Sequence, residues 1–202
     1  MPTVVIPFAG VDGKTRLHAS PRTRRQLSLG MLADVLAAAI VVGEVRVVTG
    51  DPDGAALARA FAAEVADDPG AGQGPAVAAA LSNPAEGPVL IVNADLLCAA
   101  PADLRALLAA TPARGLALVE ASDGTTNALG LSAASVFAPL YGPGSASRFR
   151  AHAAELGLEC TALPIENLAD DVDTVDDLQR LQARLGPRSR AALAELLVEV
   201  AR

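Results

Sequence analysis

The sequence predicts one Rossmann-like α/β domain, three layers deep in α/β/α order, around a mostly parallel central sheet. Three observations carry this. Short apolar runs alternate with amphipathic helical runs from Thr3 to Glu120, which is the signature of parallel strands covered by helices on both faces. Hydrophobic residues make up 51% of the 202, yet aromatics only 2%, so the core must be built from Val, Leu, Ile and Ala, which suits close packing of helix on sheet. No linker, repeat or low-complexity tract interrupts the chain apart from its alanine richness, and the length fits one core better than two, so residues 1–202 read as a single domain.

The elements follow in order. Thr3–Pro7 is a buried strand, and Pro21–Ala39 has helical periodicity through Leu27, Met31, Leu32, Val35 and Leu36. Glu44–Thr49 reads as a strand, Gly54–Ala62 as a helix and Glu64–Ala66 as a short strand. A glycine-rich loop, Asp67 to Pro75, leads into a helix over Ala76–Leu81. Pro88–Val92 is a strand, Pro101–Ala110 a helix and Leu116–Glu120 a strand. A hairpin-like turn at Ser122–Thr125 precedes the run Asn127–Leu131, followed by a helix Ser145–Leu156 and a strand Glu159–Ala162. Two closing helices are split by Gly186-Pro187.

Charge and composition exclude several classes of partner. A net charge of -7 argues against a nucleic-acid or anionic-membrane surface, but not against a small phosphorylated ligand held by local cations and a metal. The N-terminus lacks a basic segment followed by an apolar one, and the greasy stretch Val35 to Gly43 is far short of the ~20 residues of a membrane span. A soluble, cytoplasmic protein is expected. Oligomeric state is left open, a homodimer included. Cys98 and Cys160 stand in no CxxC pattern and read as two inert core thiols; His18 and His152 belong to no recognisable catalytic pattern.

In such a sheet ligands lie outside the carboxyl ends of the strands, which gathers the loop around Lys14, Thr49-Gly50-Asp51, the glycine-rich loop and Asn93-Ala94-Asp95. Lys14 is the only lysine among 16 basic residues, and is either a required ammonium or a leftover surface charge. The segment Asp170 to Asp177 packs five carboxylates into eight positions. Thr174-Val175-Asp176-Asp177 has the form of an N-cap with acids in the first turn, but Asp171 and Asp173 precede the cap. In an extended segment those two point to one side, where a hard cation such as Mg²⁺ would relieve their repulsion; a solvated acidic helix start is the plainer alternative. Asp95 ends the most apolar strand and is either a turn cap or a third carboxylate for that cation. Thr125-Thr126 and the run from Tyr141 to Arg148 look like a smaller anion site, in which Ser145 is either an ordinary N-cap or a phosphate donor with Arg148 one turn on.

Taken in order, Ile6-Pro7 with Lys14-Thr15-Arg16-Leu17, Ala94-Asp95-Leu96, Thr126-Asn127-Ala128-Leu129, Gly142 to Arg148 and Asp171-Val172-Asp173-Thr174 resemble the guanylyltransferases that make the phosphodiester precursor of the deazaflavin coenzyme F-420. The resemblance spans nearly the whole chain and implies a nucleotidyltransferase fold. It implies Asp95, Asp171 and Asp173 as Mg²⁺ ligands, and Thr126, Gly142, Ser145 and Arg148 around a phosphorylated three-carbon acid. Lys14 and Arg16 would face the triphosphate of GTP as the catalytic cations, and Asp68, Gly72, Gly74 and Asp95 would complete the nucleotide site.

The chain departs from that pattern at four places. Ala9 replaces a second lysine, Leu97 a proline, Phe149 a histidine, and Gln73-Gly74-Pro75-Ala76-Val77 stands where a Leu-Asn pair is expected. The base site is therefore the altered part. The implied reaction is in-line attack of the acceptor's phosphate oxygen on the α-phosphorus of the nucleotide, with diphosphate leaving. That oxygen is already ionised at neutral pH, so no general base is required, and the task is to bring two polyanions together. A cytidylyltransferase or other relative using a different base or acceptor, and a non-catalytic nucleotide-binding relative, are the alternatives. The acid itself, phosphoenolpyruvate, 2-phospho-L-lactate or 3-phosphoglycerate, is not legible.

Overall fold

Strand β1 (Thr3–Pro7) leads through residues 11–19 to helix α1 (Pro21–Ala39), followed by β2 (Glu44–Val48), α2 (Pro52–Ala60), β3 (Glu64–Ala66), α3 (Gln73–Leu81), β4 (Val89–Val92) and α4 (Pro101–Ala110). The second half comprises β5 (Gly115–Glu120), β6 (Thr126–Leu131), α5 (Ser145–Glu155), β7 (Glu159–Ala162), α6 (Glu166–Ala169), α7 (Val175–Leu181) and α8 (Pro187–Val200). This computed structural model describes residues 1–10, 20–83, 86–171 and 175–200. Among the described residues, no helix is long and apolar enough to cross a membrane.

The seven strands form one sheet in the order β3-β2-β1-β4-β6-β5-β7. Pairing is parallel throughout except at β6, which runs antiparallel to both β4 and β5. The sheet divides the core by the period-two rule. Val4, Ile6, Val47, Leu90, Val92 and Val119 meet α1, α2 and α4 on one face. Val5, Val48, Ile91, Leu116 and Leu118 meet α3 and α5 on the other. Alanines at 76, 80, 146 and 153 line that second face and let the helices lie close to the sheet. The three-layer architecture and mostly parallel sheet expected from the sequence are therefore present.

Several boundaries differ from expectation, each for a local reason. Helix α2 starts at Pro52, because Asp51 accepts hydrogen bonds from the backbone N–H of Asp53 and Gly54 and so caps it two residues early. It stops at Ala60, with Ala62 at a positive φ of 57°. Helix α3 begins at Gln73 because Gly72, with φ at 96°, adopts the cap conformation that a side chain would resist. The short helix α6 was not expected. Cys98 is buried as anticipated, but Cys160 is exposed, since it sits on the edge strand β7 where only β5 pairs with it.

The closing helix α8 clasps α1 at both ends. Near the C-terminal end, the buried Asp34 carboxylate accepts hydrogen bonds from the backbone N–H of Ser189 at 2.8 Å and of Arg188 at 3.3 Å, capping α8 from outside. Near the start of α1, Glu199 accepts from the Ser20 N–H at 2.6 Å and from the hydroxyls of Ser20 and Thr23. Leu27 and Met31 of α1 pack with Leu193 and Leu196 of α8 between these two ties. Asp34→Ala is expected to cost about 1–3 kcal/mol in equilibrium urea unfolding, because two buried N–H groups lose their acceptor; a loss under about 0.5 kcal/mol would show that water replaces it.

Candidate active site

The chain of strands β3-β2-β1 runs one way from β1 and β4 lies on the other side, so the topological switch point falls between β1 and β4. A cleft of about 570 Å³ opens there, at the carboxyl ends of those strands. One wall is Pro7 to Gly10, another Asp68, Gly70, Gly72 and Gln73, and a third Asn93 to Asp95. Gly10 lies against the Asp51 carboxylate with φ at 94°, so this loop leaves β1 in a conformation that favours glycine.

The glycine-rich wall is held by its own side chain. Asp68 accepts a hydrogen bond from the Gly70 N–H at 2.8 Å, which turns the loop back toward α3. Asp68, Gly72 and Asp95 thus all line the cleft, as their grouping in the sequence requires. Gly74 does not line it. A Cβ at Gly74 would stand 2.9 Å from the Pro139 carbonyl oxygen, so this glycine lets α3 approach the 139 segment.

Asp171 follows the short helix α6, and its neighbourhood is fixed from β6. Asn127, buried at the start of β6, donates from its side-chain amide to the Ala169 carbonyl at 3.1 Å. The Asn127 carbonyl in turn accepts from the Asn93 N–H at 3.1 Å. One residue therefore tethers both the loop carrying Asp95 and the segment carrying Asp171. The adjacent Asp170 is gripped by Arg180 at 2.9 Å and by Arg184. Burial alone would raise the Asp170 carboxyl, but those guanidinium hydrogen bonds outweigh it and hold it below the usual carboxylate range. Lys14, Arg16 and Asp173 lie outside the described residues. Among the described residues, no three acidic, histidine or cysteine side chains converge as a metal-holding group.

The anion site expected around Thr126 and Ser145 is built differently from the expectation. Gly144, with φ at 69°, is the N-cap of α5, and Ser145 is the first helical residue. The fully buried Ser145 hydroxyl accepts from the Thr126 N–H at 2.9 Å and donates to the Thr126 hydroxyl oxygen at 3.2 Å, stitching α5 to β6. Arg148 turns back on the preceding loop, donating to the carbonyls of Leu140 at 2.8 Å and Tyr141 at 3.1 Å and to that of Pro143. Gly142, with φ at 110°, makes the turn that Arg148 encloses. The four residues do form one unit at the start of α5.

Phe8 and Ser28, not singled out in the sequence, also line the cleft, as do Met31, Gln73 and Asn93, which were noted there without a role of their own. Ser28 is almost fully buried and its hydroxyl has no hydrogen-bond partner among the described residues. A serine among the apolar residues Leu27, Met31 and Leu32 was its only trace in the sequence. Asn93 was visible only as a neighbour of Asp95.

The fold is similar to that of solved nucleotidyltransferase structures. A crystal structure from Desulfovibrio desulfuricans G20, provisionally named a nucleotide-diphospho-sugar transferase, superimposes with a TM-score of 0.78 over 100% of this chain and 98% of that one, at 19% identity. Residues 2–199 match the family described as Guanylyl transferase CofC like, and the chain belongs to it. It is 36% identical to a phosphoenolpyruvate guanylyltransferase of Streptomyces scabiei over 97% of both chains. It is also 36% identical to a 2-phospho-L-lactate guanylyltransferase of Natrialba magadii, over 87% of this chain and 80% of the relative.

Ser145→Ala removes a buried acceptor and leaves the Thr126 N–H unpaired. Thermal and urea unfolding are expected to show a loss of about 1–3 kcal/mol, and an unchanged midpoint would mean that the α5–β6 tie carries no load.

Proposed function

We propose that this protein transfers GMP from GTP to the phosphate of phosphoenolpyruvate in a cytoplasmic, Mg²⁺-dependent reaction that releases diphosphate, a step in making coenzyme F-420. Membership of a guanylyltransferase family over residues 2–199 supports the reaction class. The observation that carries the site is the cleft at the β1–β4 switch point, lined by the glycine-rich loop on one side and Asp95 on the other. Phosphoenolpyruvate is favoured as acceptor by the relative that matches over 97% of both chains.

The donor set suits a hard cation, since Asp95 and the 171–173 segment offer carboxylate oxygens and no sulfur or imidazole. Asp95, Asp171 and Asp173 would hold Mg²⁺, which supplies charge neutralisation and orientation of phosphate oxygens when bound. The chain's own groups do the rest. Lys14 and Arg16 follow β1 and would neutralise the triphosphate, Lys14 as a point charge and Arg16 as a fork. Asp68, Gly72 and the other residues of the glycine-rich wall let the nucleotide lie close to the backbone. The turn of Gly142, Ser145 and Thr126 at the start of α5 would seat the acid, with Arg148 holding that turn in shape.

A phosphate oxygen of the acceptor forms a bond to the α-phosphorus as the bond from that phosphorus to the α–β bridging oxygen breaks. The bridging oxygen departs with diphosphate, and no proton needs to move because the nucleophile is already an anion.

Incubation with GTP, Mg²⁺ and each of phosphoenolpyruvate, 2-phospho-L-lactate and 3-phosphoglycerate, read by mass spectrometry, is expected to yield the guanylylated phosphoenolpyruvate as the principal product. Diphosphate release with none of the three acids would contradict the reading. Asp95→Asn and Asp171→Asn are each expected to lower turnover by about 100-fold or more while the folded signal in circular dichroism is kept. Full turnover by either folded variant would remove that residue from the metal site.

A further inference from the structure

Three side-chain amides form a continuous chain that runs from the wall of the cleft into the core. Gln73 Nε2 donates to Asn93 Oδ1 at 2.6 Å, Asn93 Nδ2 to Asn127 Oδ1 in a longer contact of 3.4 Å, and Asn127 Nδ2 to the Ala169 carbonyl at 3.1 Å. The last member fixes the direction of all the others. A backbone carbonyl can only accept, so Asn127 must turn its NH₂ toward Ala169 and its oxygen toward Asn93. Asn93 must then turn its NH₂ to Asn127 and its oxygen to Gln73. Reversing one amide would set two oxygens or two NH₂ groups face to face. Asn127 is 2% exposed, so water cannot repair such a mismatch cheaply.

The chain ends in the cleft, where Gln73 and Asn93 both form part of the wall. Gln73 spends its NH₂ on Asn93, and its Oε1 has no protein partner among the described residues. The glycine-rich wall therefore presents a carbonyl acceptor of predetermined orientation to whatever base lies against it. Among the purines this is a discriminating group. Guanine offers adjacent donors, N1–H and the N2 amine, whereas adenine places a lone pair at N1. An acceptor that cannot flip pairs with the first and repels the second.

We infer that Gln73 is a specificity-determining residue whose Oε1 accepts a hydrogen bond from the N1–H and N2-amine edge of guanine, with its orientation dictated through Asn93 and Asn127 by the Ala169 carbonyl. The inference rests on the guanylyl-transfer reading for its ligand class and adds the atom that selects the base. It also accounts for the departure at this point of the chain. The Leu-Asn pair absent after the glycine-rich loop is replaced by a glutamine that obtains its direction from a distant carbonyl. Asn93 and Asn127 act as positioning residues, because they set the orientation of Gln73.

Equilibrium binding separates this inference from the reaction. Calorimetry with GTP and with ATP, in Mg²⁺ and without acceptor, gives the ratio of the two dissociation constants for the wild type, Gln73→Leu, Asn93→Leu and Asn93→Asp. The wild type is expected to favour GTP. Gln73→Leu is expected to weaken GTP by about ten-fold, the worth of one hydrogen bond in a partly exposed site, and to leave ATP within about two-fold. Asn93→Leu frees Gln73 to rotate and lowers the ratio as well. Asn93→Asp gives up the bond to Asn127 but still offers Gln73 only an acceptor, and its added charge bears on both triphosphates alike, so it keeps the ratio. Parallel losses for GTP and ATP in Gln73→Leu would overturn the inference, as would a ratio that falls equally in Asn93→Asp and Asn93→Leu. Product formation is scored separately: guanine-selective binding without product defeats the transfer reading alone, and product with an unmoved binding ratio in Gln73→Leu defeats the base contact alone.

Discussion

Strand β6 runs against both of its neighbours, and the corner of the site is made by that reversal. Because β6 enters antiparallel, its first residues lie beside the last residues of β4, with Ala128 opposite Val92. Asn127 is thereby brought against Asn93, two residues before Asp95. Its side chain then reaches the Ala169 carbonyl, two residues before Asp171. Had β6 been parallel to β4, Asn127 would lie at the opposite end of the strands, and the two acidic segments would share no tether. The tight turn before β6 makes the reversal possible: Gly124 has φ at 81°, and the Ala121 N–H donates to the Thr125 carbonyl at 2.9 Å.

The reversal needs support on both sides of the sheet. On one face, the Ser145–Thr126 pair fastens α5 to the first residue of β6, and Phe149 with Tyr141 in an edge-on contact at 5.3 Å fills the space behind it. On the other, Leu168 of α6 packs into the core beneath the strands, so the Ala169 carbonyl is delivered by a buried anchor. Asp170 is locked by Arg180 and Arg184, which ties the same segment to α7 and the turn after it. These tethers hold the segments that carry Asp95 and Asp171 against one strand.

Much of the architecture was legible because it follows from periodicity. The strands β1, β4 and β5 are largely apolar runs buried on both faces, and the alternation of strands with amphipathic helices admits few topologies. The carboxyl-end rule then located the cleft before any side chain was placed. The hairpin-like turn at Ser122–Thr125 pointed to β6 running against β5, but its place between β4 and β5 was not legible, since the run pairs equally well on either side until its neighbours are known. Helix α6 is four residues long, too short to show a period. The roles of Ser145 and Arg148 could not be separated in the sequence, because an N-cap, a phosphate donor and a loop clasp use the same residue types. The amide chain was invisible for a deeper reason: Gln73, Asn93, Asn127 and Ala169 are far apart in sequence, and their direction is decided by the acceptor at the far end.

On the proposed function, the nucleotide lies in the cleft at the switch point of the sheet, with its phosphates beside Asp95 and its base on the glycine-rich wall. A crystal structure with Mg²⁺ and a GTP analogue that cannot be cleaved between the α- and β-phosphates tests this most directly. The account predicts the guanine against Gln73 and the glycine-rich loop, with the α-phosphate beside Asp95 and the metal. A nucleotide bound outside this cleft, or in it with the base on the Asp95 side and the phosphates on the Gln73 side, would contradict it.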